Sequence, residues 1–153
     1  MKTSSSIQIE APVSSVFFWL EDNERLMKWV PNLIEDTPLV ETPEKTGSRF
    51  RQVFLENGKR MEMTGEITEY VENERMRVVM TGKMFNLDVE YILKARHEDQ
   101  TELTQNTEIR FKGMMVLFAP IMRLMSLLSS HDPQADAHEA LKSMVEAEHQ
   151  SKS

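Results

Sequence analysis

Four carboxylates, Glu62, Glu66, Asp88 and Glu90, stand in segments of alternating polarity, where a general base could sit. The same alternation puts them opposite the apolar residues, on a face shared with Arg49, Arg51, Arg60, Arg77 and Lys94. Paired surface charges are their expected role. The histidines are His97, His131, His138 and His149. His131 and His138 are seven apart with Asp132 and Asp136 nearby, but neither H-x-x-x-H nor H-E-x-x-H occurs, so no metal site is expected. Ser129 and Ser130 share a junction with these histidines, and no nucleophile–histidine–acid triad can be assembled from them. Phosphate-cradling glycine motifs are absent, and with no cysteine in the chain thiolate, disulfide and iron–sulfur chemistry are excluded. No catalytic constellation and no cofactor are expected.

More information lies in Gln105 and Thr107, which interrupt the inward-facing series Leu103, Gln105, Thr107, Ile109, Phe111. A polar group on an apolar face needs a partner, because leaving it buried and unsatisfied costs about 1–3 kcal/mol. Two solutions are open. They bond each other, Tyr91 or a neighbouring strand; or they meet a ligand carbonyl or hydroxyl, or water. By the same parity Phe50, Phe54, Met61, Met63, Met76, Val78, Met80, Phe85, Leu87, Val89 and Tyr91 face inward, to fill a core or to line a pocket.

The elements that must hold these residues follow from period and punctuation. Ser4 to Glu10 alternates and reads as a strand, ended by Ala11-Pro12. Two short helices follow, Val13 to Glu21 and Asn23 to Trp29, with Asp22 or Asn23 as a cap. Strands are expected at Leu33 to Glu41, Ser48 to Glu56, Arg60 to Val71, Met76 to Thr81, Phe85 to Arg96 and Thr101 to Phe111. Asn57-Gly58 is the strongest hairpin signal among the connections, since both residues tolerate positive φ. The period then changes to about 3.6: Met114, Leu117, Phe118, Ile121, Met125 and Leu128 recur at helical spacing. Pro120 predicts a kink, and Asp132-Pro133 a helix restart whose apolar face is Ala137, Ala140, Leu141, Met144 and Val145. A long antiparallel meander needs a cover for its apolar face, and the terminal helix is the candidate large enough.

Five segments in order resemble the START-like (SRPBCC) superfamily, which includes polyketide cyclases, lipid-transfer proteins and Bet v 1-like proteins. They are Ile7 to Pro31 with Trp19 and Trp29, Gly47-Ser48-Arg49-Phe50-Arg51, Gly65-Glu66-Ile67-Thr68-Glu69-Tyr70, Thr101-Glu102-Leu103-Thr104 and Leu141-Lys142-Ser143-Met144-Val145-Glu146. The resemblance implies an α+β helix-grip fold: about seven curved antiparallel strands wrapped on a long kinked C-terminal helix, with two short helices after the first strand. It implies one domain over residues 1–153, the polar end 150–153 being read as a disordered tail. It also favours a ligand cavity over a filled core. The residues expected to bind the ligand are Trp29, Phe50, Phe54, Met63, Leu87, Tyr91, Gln105, Thr107, Met114, Phe118, Met122 and Met125. Methionine, present twelve times, suits an adaptable apolar wall.

Bulk properties narrow the partners. A net charge of −7 disfavours tracking nucleic-acid phosphates or an anionic membrane. The most apolar run, 113–128, is interrupted by Pro120 and Arg123 and is shorter than a membrane span. Because it is apolar nearly all round, the 114–128 helix offers a face for weak self-association or partner docking. The polar start Met1 to Ser6 lacks a secretory apolar region, so a cytoplasmic location is expected. The expected function is binding or carriage of a hydrophobic small molecule such as a lipid, polyketide or aromatic metabolite. The alternatives are a cyclase or dehydratase using the same cavity by orientation, and an interaction module acting through the apolar helix.

Overall fold

The computed structural model describes residues 1–118, 120, 121, 124 and 132–152. The chain runs β1 (Lys2–Ile9), α1 (Val13–Glu21), α2 (Asn23–Trp29), β2 (Leu33–Val40), β3 (Arg49–Glu56), β4 (Lys59–Val71), β5 (Arg75–Thr81), β6 (Phe85–His97) and β7 (Gln100–Phe111). A short 3-10 helix, Gly113–Phe118, and the terminal helix α3, Pro133–Ser151, complete the described elements. The seven strands form one antiparallel sheet in the order β1-β7-β6-β5-β4-β3-β2. Only β1 leaves the meander, pairing with β7, so β1 and β2 are the edges. This is the helix-grip fold.

Local chemistry sets the element ends. Asp22 caps α2 by accepting the Arg25 N–H, and Asp132 caps α3 by accepting the Gln134 N–H ahead of which Pro133 sits. Asn57 and Gly58 take φ of 50° and 77°, closing the β3–β4 hairpin. The helix α3 continues through Ser151, whose hydroxyl donates to the Glu148 carbonyl, while the Lys152 N–H bonds the His149 carbonyl. Gln150 and Ser151, expected in a tail, are helical because these bonds satisfy the last turn.

Of the four register slips in the sheet, those at Ile34 and Thr68 decide which way the side chains around Asp36 and Tyr70 face. On β2 the pairing passes from Leu33↔Phe54 to Glu35↔Val53 and Asp36↔Gln52, so Ile34 is the extra residue. Glu35 thereby turns outward to Arg51 and Arg60, and Asp36 turns inward beside Gln52. On β4 the slip at Thr68 sends Glu69 out to Arg75 and Arg77 and turns Tyr70 inward opposite Met76.

The packed core fills one part of the space between sheet and helix. Leu141 and Val145 of α3, Ile9, Leu103 and Leu93 of the sheet, and Phe17 and Leu20 of α1 are almost completely buried there. Helix α1 is tied in by a T-shaped Phe17–Tyr70 contact at 5.4 Å. The Arg25 guanidinium spans Asp22 at 3.2 Å and Glu148 at 2.9 Å, joining α2 to α3. The remaining space, under α2 and strands β2 to β7, is left open.

Candidate functional site: an internal cavity with two polar points

The open space is a cavity of about 390 Å³. Its walls are apolar for the most part: Leu26, Trp29 and Val30 from the helices, and Phe50, Phe54, Ile67, Met76, Val78, Met80, Leu87 and Val89 from the sheet. Trp29 is held rigidly, because its indole Nε1–H donates to the Trp19 carbonyl at 3.0 Å. A glycine makes room for the wall at β4. Its close neighbour is the Phe50 ring, whose Cζ would lie 2.3 Å from a Cβ placed on Gly65.

Seven of the residues expected from sequence line this cavity: Trp29, Phe50, Phe54, Leu87, Tyr91, Gln105 and Thr107. Met63 does not. It is 1% exposed, packed against Gly82 at the far end of β4, where a Cβ would meet its Cε at 3.1 Å. Met114 and Phe118 are absent from the wall as well, being 76% and 49% exposed on the 3-10 helix. The chain turns away from the cavity at Gly113 (φ 57°), after the Lys112 N–H has bonded the Met84 carbonyl. Met122 and Met125 lie outside the described residues, as does the expected kink region apart from Pro120, Ile121 and Leu124. Ile121 and Leu124 are exposed together with Met114, Leu117 and Phe118, so the apolar surface considered for docking exists at these positions.

The first polar point joins α3 to β7 and β1. The Gln134 amide donates to Ser5 Oγ and, at 3.2 Å, to the Gln105 carbonyl. Ser5 Oγ lies 3.4 Å from His138 Nδ1, and His138 Nε2 lies 2.7 Å from Gln105 Oε1. Gln105 Nε2 donates to Thr107 Oγ1 at 3.2 Å, and the Thr107 hydroxyl donates to Gln134 Oε1 at 3.0 Å. Gln105 Oε1 can only accept, so His138 Nε2 carries the proton and Nδ1 accepts from Ser5. The donors therefore run head to tail through Gln134, Ser5, His138, Gln105, Thr107 and back to Gln134. Such a closed ring leaves none of its linking groups unsatisfied.

His138, weighed from sequence only as a metal ligand and not expected to be one, is 2% exposed and central to this ring. Its spacing was the available signal. It precedes Leu141 by three and Val145 by seven, which places it on the stripe facing the sheet. Burial pushes its pKa down, against the attraction of Asp132 and Glu139, which keeps the imidazole neutral. Beside the ring, Tyr91 pairs with Gln105 in register. Its hydroxyl has no partner among the described residues, and burial pushes its pKa up.

The second polar point is Asp36 with Gln52. Both line the cavity, and Gln52 is only 7% exposed. Desolvation pushes the Asp36 carboxyl up to about 6, while a hydrogen bond from Gln52 opposes the rise. Asp36 Oδ1 is buried and has no partner among the described residues, a condition worth about 1–3 kcal/mol of lost solvation. Sequence parity read from Leu33 puts Glu35 inside and Asp36 outside, so the slip at Ile34 hid this residue. Gln52 was legible: it lies between inward-facing Phe50 and Phe54.

The four carboxylates considered first are on the outer face, as expected. Asp88 is held down chiefly by its bond from Arg77, at 2.6 Å and 2.8 Å, and Glu62 by Arg51. Glu90 is held down by Asn106 and Arg75, and Glu66 pairs with Arg49 at 3.9 Å. No group of three metal-ligating side chains exists among the described residues. No described helix is long and apolar enough to cross a membrane.

Solved structures share this architecture. A Thermus thermophilus protein, TTHA0849, superposes with a TM-score of 0.77 at 16% identity, covering 97% of this chain and 99% of that one. The ZhuI aromatase/cyclase from Streptomyces gives 0.76 at 12% identity over 95% and 93% of the two chains. A START superfamily protein from Mycobacterium smegmatis gives 0.73 at 14% identity over 99% of each. At these identities the likeness establishes the fold. No curated protein matches the sequence. The profile of the family described as polyketide cyclase / dehydrase and lipid transport matches residues 1–147, and with that span covering nearly the whole helix-grip domain, the chain belongs to this family.

Proposed function

We propose that this protein binds and carries a hydrophobic small molecule, a lipid, polyketide or aromatic metabolite, in the cavity beneath α2. The observation that carries the reading is the cavity itself: about 390 Å³ walled mainly by aromatic, aliphatic and methionine side chains, with a few convergent polar groups. That volume and lining match small-molecule sites in general. The family's description, polyketide cyclase / dehydrase and lipid transport, and the shared fold of the ZhuI aromatase/cyclase support the same ligand class here. Quenching of Trp29 by an added polyaromatic probe, followed by native mass spectrometry of protein from its own host, tests the proposal. The expected result is saturable quenching and a co-purifying apolar molecule. Failure of every fatty-acid and polyaromatic probe to bind would overturn it.

A second reading, a cyclase or dehydratase using the same chamber, is favoured by Asp36. A carboxyl with a pKa of about 6 inside an apolar cavity can exchange a proton near neutral pH. Tyr91 supplies a neutral hydroxyl on the other side of the chamber. Under this reading the chamber folds a reactive chain, and the two groups steer proton transfer. Loss of turnover of a poly-β-ketone substrate in both Asp36→Asn and Tyr91→Phe supports it; unchanged turnover in both rejects it.

A further inference from the structure

Both tyrosines of the chain line the cavity, and their hydroxyls are spent differently. The Tyr70 hydroxyl donates to Glu21 Oε2 at 2.7 Å. The Tyr91 hydroxyl has no partner among the described residues. Among those residues, four side-chain atoms are both sealed from contact and unpaired: Arg25 Nε, Asp36 Oδ1, Glu69 Oε2 and Asn86 Oδ1. The Tyr91 hydroxyl is unpaired without being one of them, so it keeps accessible surface. That surface faces the chamber. Tyr91 sits on the inner face of β6 between buried Val89 and Leu93, opposite Met76 on β5 and Gln105 on β7. Its surroundings are uncharged: burial alone pushes its pKa up, with no charged neighbour contributing, so the hydroxyl keeps its proton. Lys45 and Arg49, the cations of the lining, are exposed on β3 and the turn before it, three strands from β6. Gln105, its polar partner in register, is committed to His138 and Thr107.

We propose that Tyr91 is a specificity-determining residue of the cavity, selecting apolar ligands that carry an uncharged carbonyl, a ketone or an ester, on the part that reaches β6. The phenol O–H donates to the carbonyl oxygen and regains the hydrogen bond that burial took from it. A carbonyl brings an acceptor and no proton of its own that needs a partner. A hydrocarbon in the same place leaves the O–H unpaired. A carboxylate accepts the bond but carries its charge into surroundings with no cation to offset it. Tyr70 cannot take this role, because its proton is already given to Glu21.

This proposal rests on the carrier reading, and the test separates the two. Isothermal titration calorimetry at pH 7.5 would compare 2-acetonaphthone, 2-isopropenylnaphthalene and 2-naphthoate on the full chain, on Tyr91→Phe and on Tyr70→Phe. The first two probes differ only in C=O against C=CH2, so their affinity ratio isolates the hydrogen bond from the apolar contacts. In Tyr91→Phe, which deletes the hydroxyl and keeps the ring, the ketone-to-alkene ratio should fall about fivefold. Tyr70→Phe should keep the native ratio, whatever it does to the affinities themselves. Naphthoate should bind the native protein more weakly than the ketone. An unchanged ratio in Tyr91→Phe, an equal fall in Tyr70→Phe, or naphthoate binding as tightly as the ketone overturns the assignment and leaves the carrier reading intact. Binding of none of the three at any accessible concentration overturns both. The infrared carbonyl stretch of 2-acetonaphthone bound to the native protein keeps the assignment falsifiable should a variant misfold. It should lie below its position in a hydrocarbon solvent, and an unshifted band overturns the donor role of Tyr91.

Discussion

The two polar points of the cavity are built from similar residue types and behave in opposite ways. At α3, Ser5, Gln105, Thr107, Gln134 and His138 close a ring in which each linking donor finds an acceptor. At β2, Asp36 stands opposite Gln52 in register and has one buried oxygen without a partner among the described residues. A satisfied network in a low-dielectric interior holds two elements in one arrangement. An unsatisfied acceptor there does the opposite: it costs stability and ties its strand to nothing. The comparison teaches that Gln105 and Thr107, although on the wall, act first as the seat of α3. The unsatisfied group lies on the strand whose parity the sequence disguises.

The largest expected effect comes from breaking the ring. His138→Ala removes a nearly fully buried side chain and strands Gln105 Oε1, and should destabilise the fold by about 3 kcal/mol in urea unfolding. If the loss is under about 1 kcal/mol, the ring does not secure α3. Gly65→Ala should cost somewhat less, about 1–3 kcal/mol, because the new methyl must displace the Phe50 ring from a distance of 2.3 Å. That ring moves into the cavity, so affinity for a polyaromatic probe should fall as well. Retained affinity would mean that the wall at Phe50 does not limit the ligand.

Next in size is Asp36→Asn. The folded carboxyl titrates at about 6, above its unfolded value of 3.8, so the folded state holds the proton more tightly than the unfolded state does. Its unfavourable contribution vanishes below 3.8, grows through the window between, and is complete above about 6. The variant should therefore gain about 1 kcal/mol at pH 7.5, after allowance for partial solvent screening, and almost nothing at about pH 3. Equal gains at both pH values would show that the carboxyl's charge is not the cause. His138 has the reverse sign. Its folded pKa lies below 6.5, so the unfolded state binds the extra proton first and stability falls as pH drops below about 6.5. A pH series of unfolding midpoints in His138→Gln should lack this fall while keeping the Asp36 component. The smallest effect is expected on the outer face, where Asp88→Asn should leave probe affinity unchanged, because its Arg77 pairing faces away from the cavity.

Much of the cavity was legible before any coordinates. On β6 and β7 the ladder runs from Phe85↔Phe111 to Leu93↔Leu103 without a slip, so alternation alone gave Leu87, Tyr91, Gln105 and Thr107. Trp29 and the Asp22 and Asp132 caps were readable because each depends on a few adjacent residues. The misses have separate causes. Met63 has the right parity but sits toward the packed end of β4 beside Gly82. For Met114 and Phe118, helical spacing was correct as a periodicity yet said nothing about where the turn at Gly113 would send the segment. For His138, metal-ligand spacing is the wrong test, and its membership of the buried stripe with Leu141 and Val145 is the signal that places it.

Local chemistry is thus enough to settle the order of elements, their caps, the Asn57-Gly58 hairpin and the inner face of every strand that pairs without interruption. Those features depend on backbone preferences and on a period of two, both carried within a few residues. The slips at Ile34 and Thr68 belong to a different level, since one extra residue reverses parity and its position is set by the partner strand. Pairing across the sheet put Asp36 and Tyr70 inside and sent Glu35 and Glu69 out to arginines. The ring likewise needed three distant pieces, Ser5, the 105–107 segment and the 134–138 turn, brought to hydrogen-bonding distance by packing of α3 on β1 and β7. Whether a polar side chain is satisfied is a property of what surrounds it in space, and that made one polar point a clasp and left the other with an unpaired, buried oxygen.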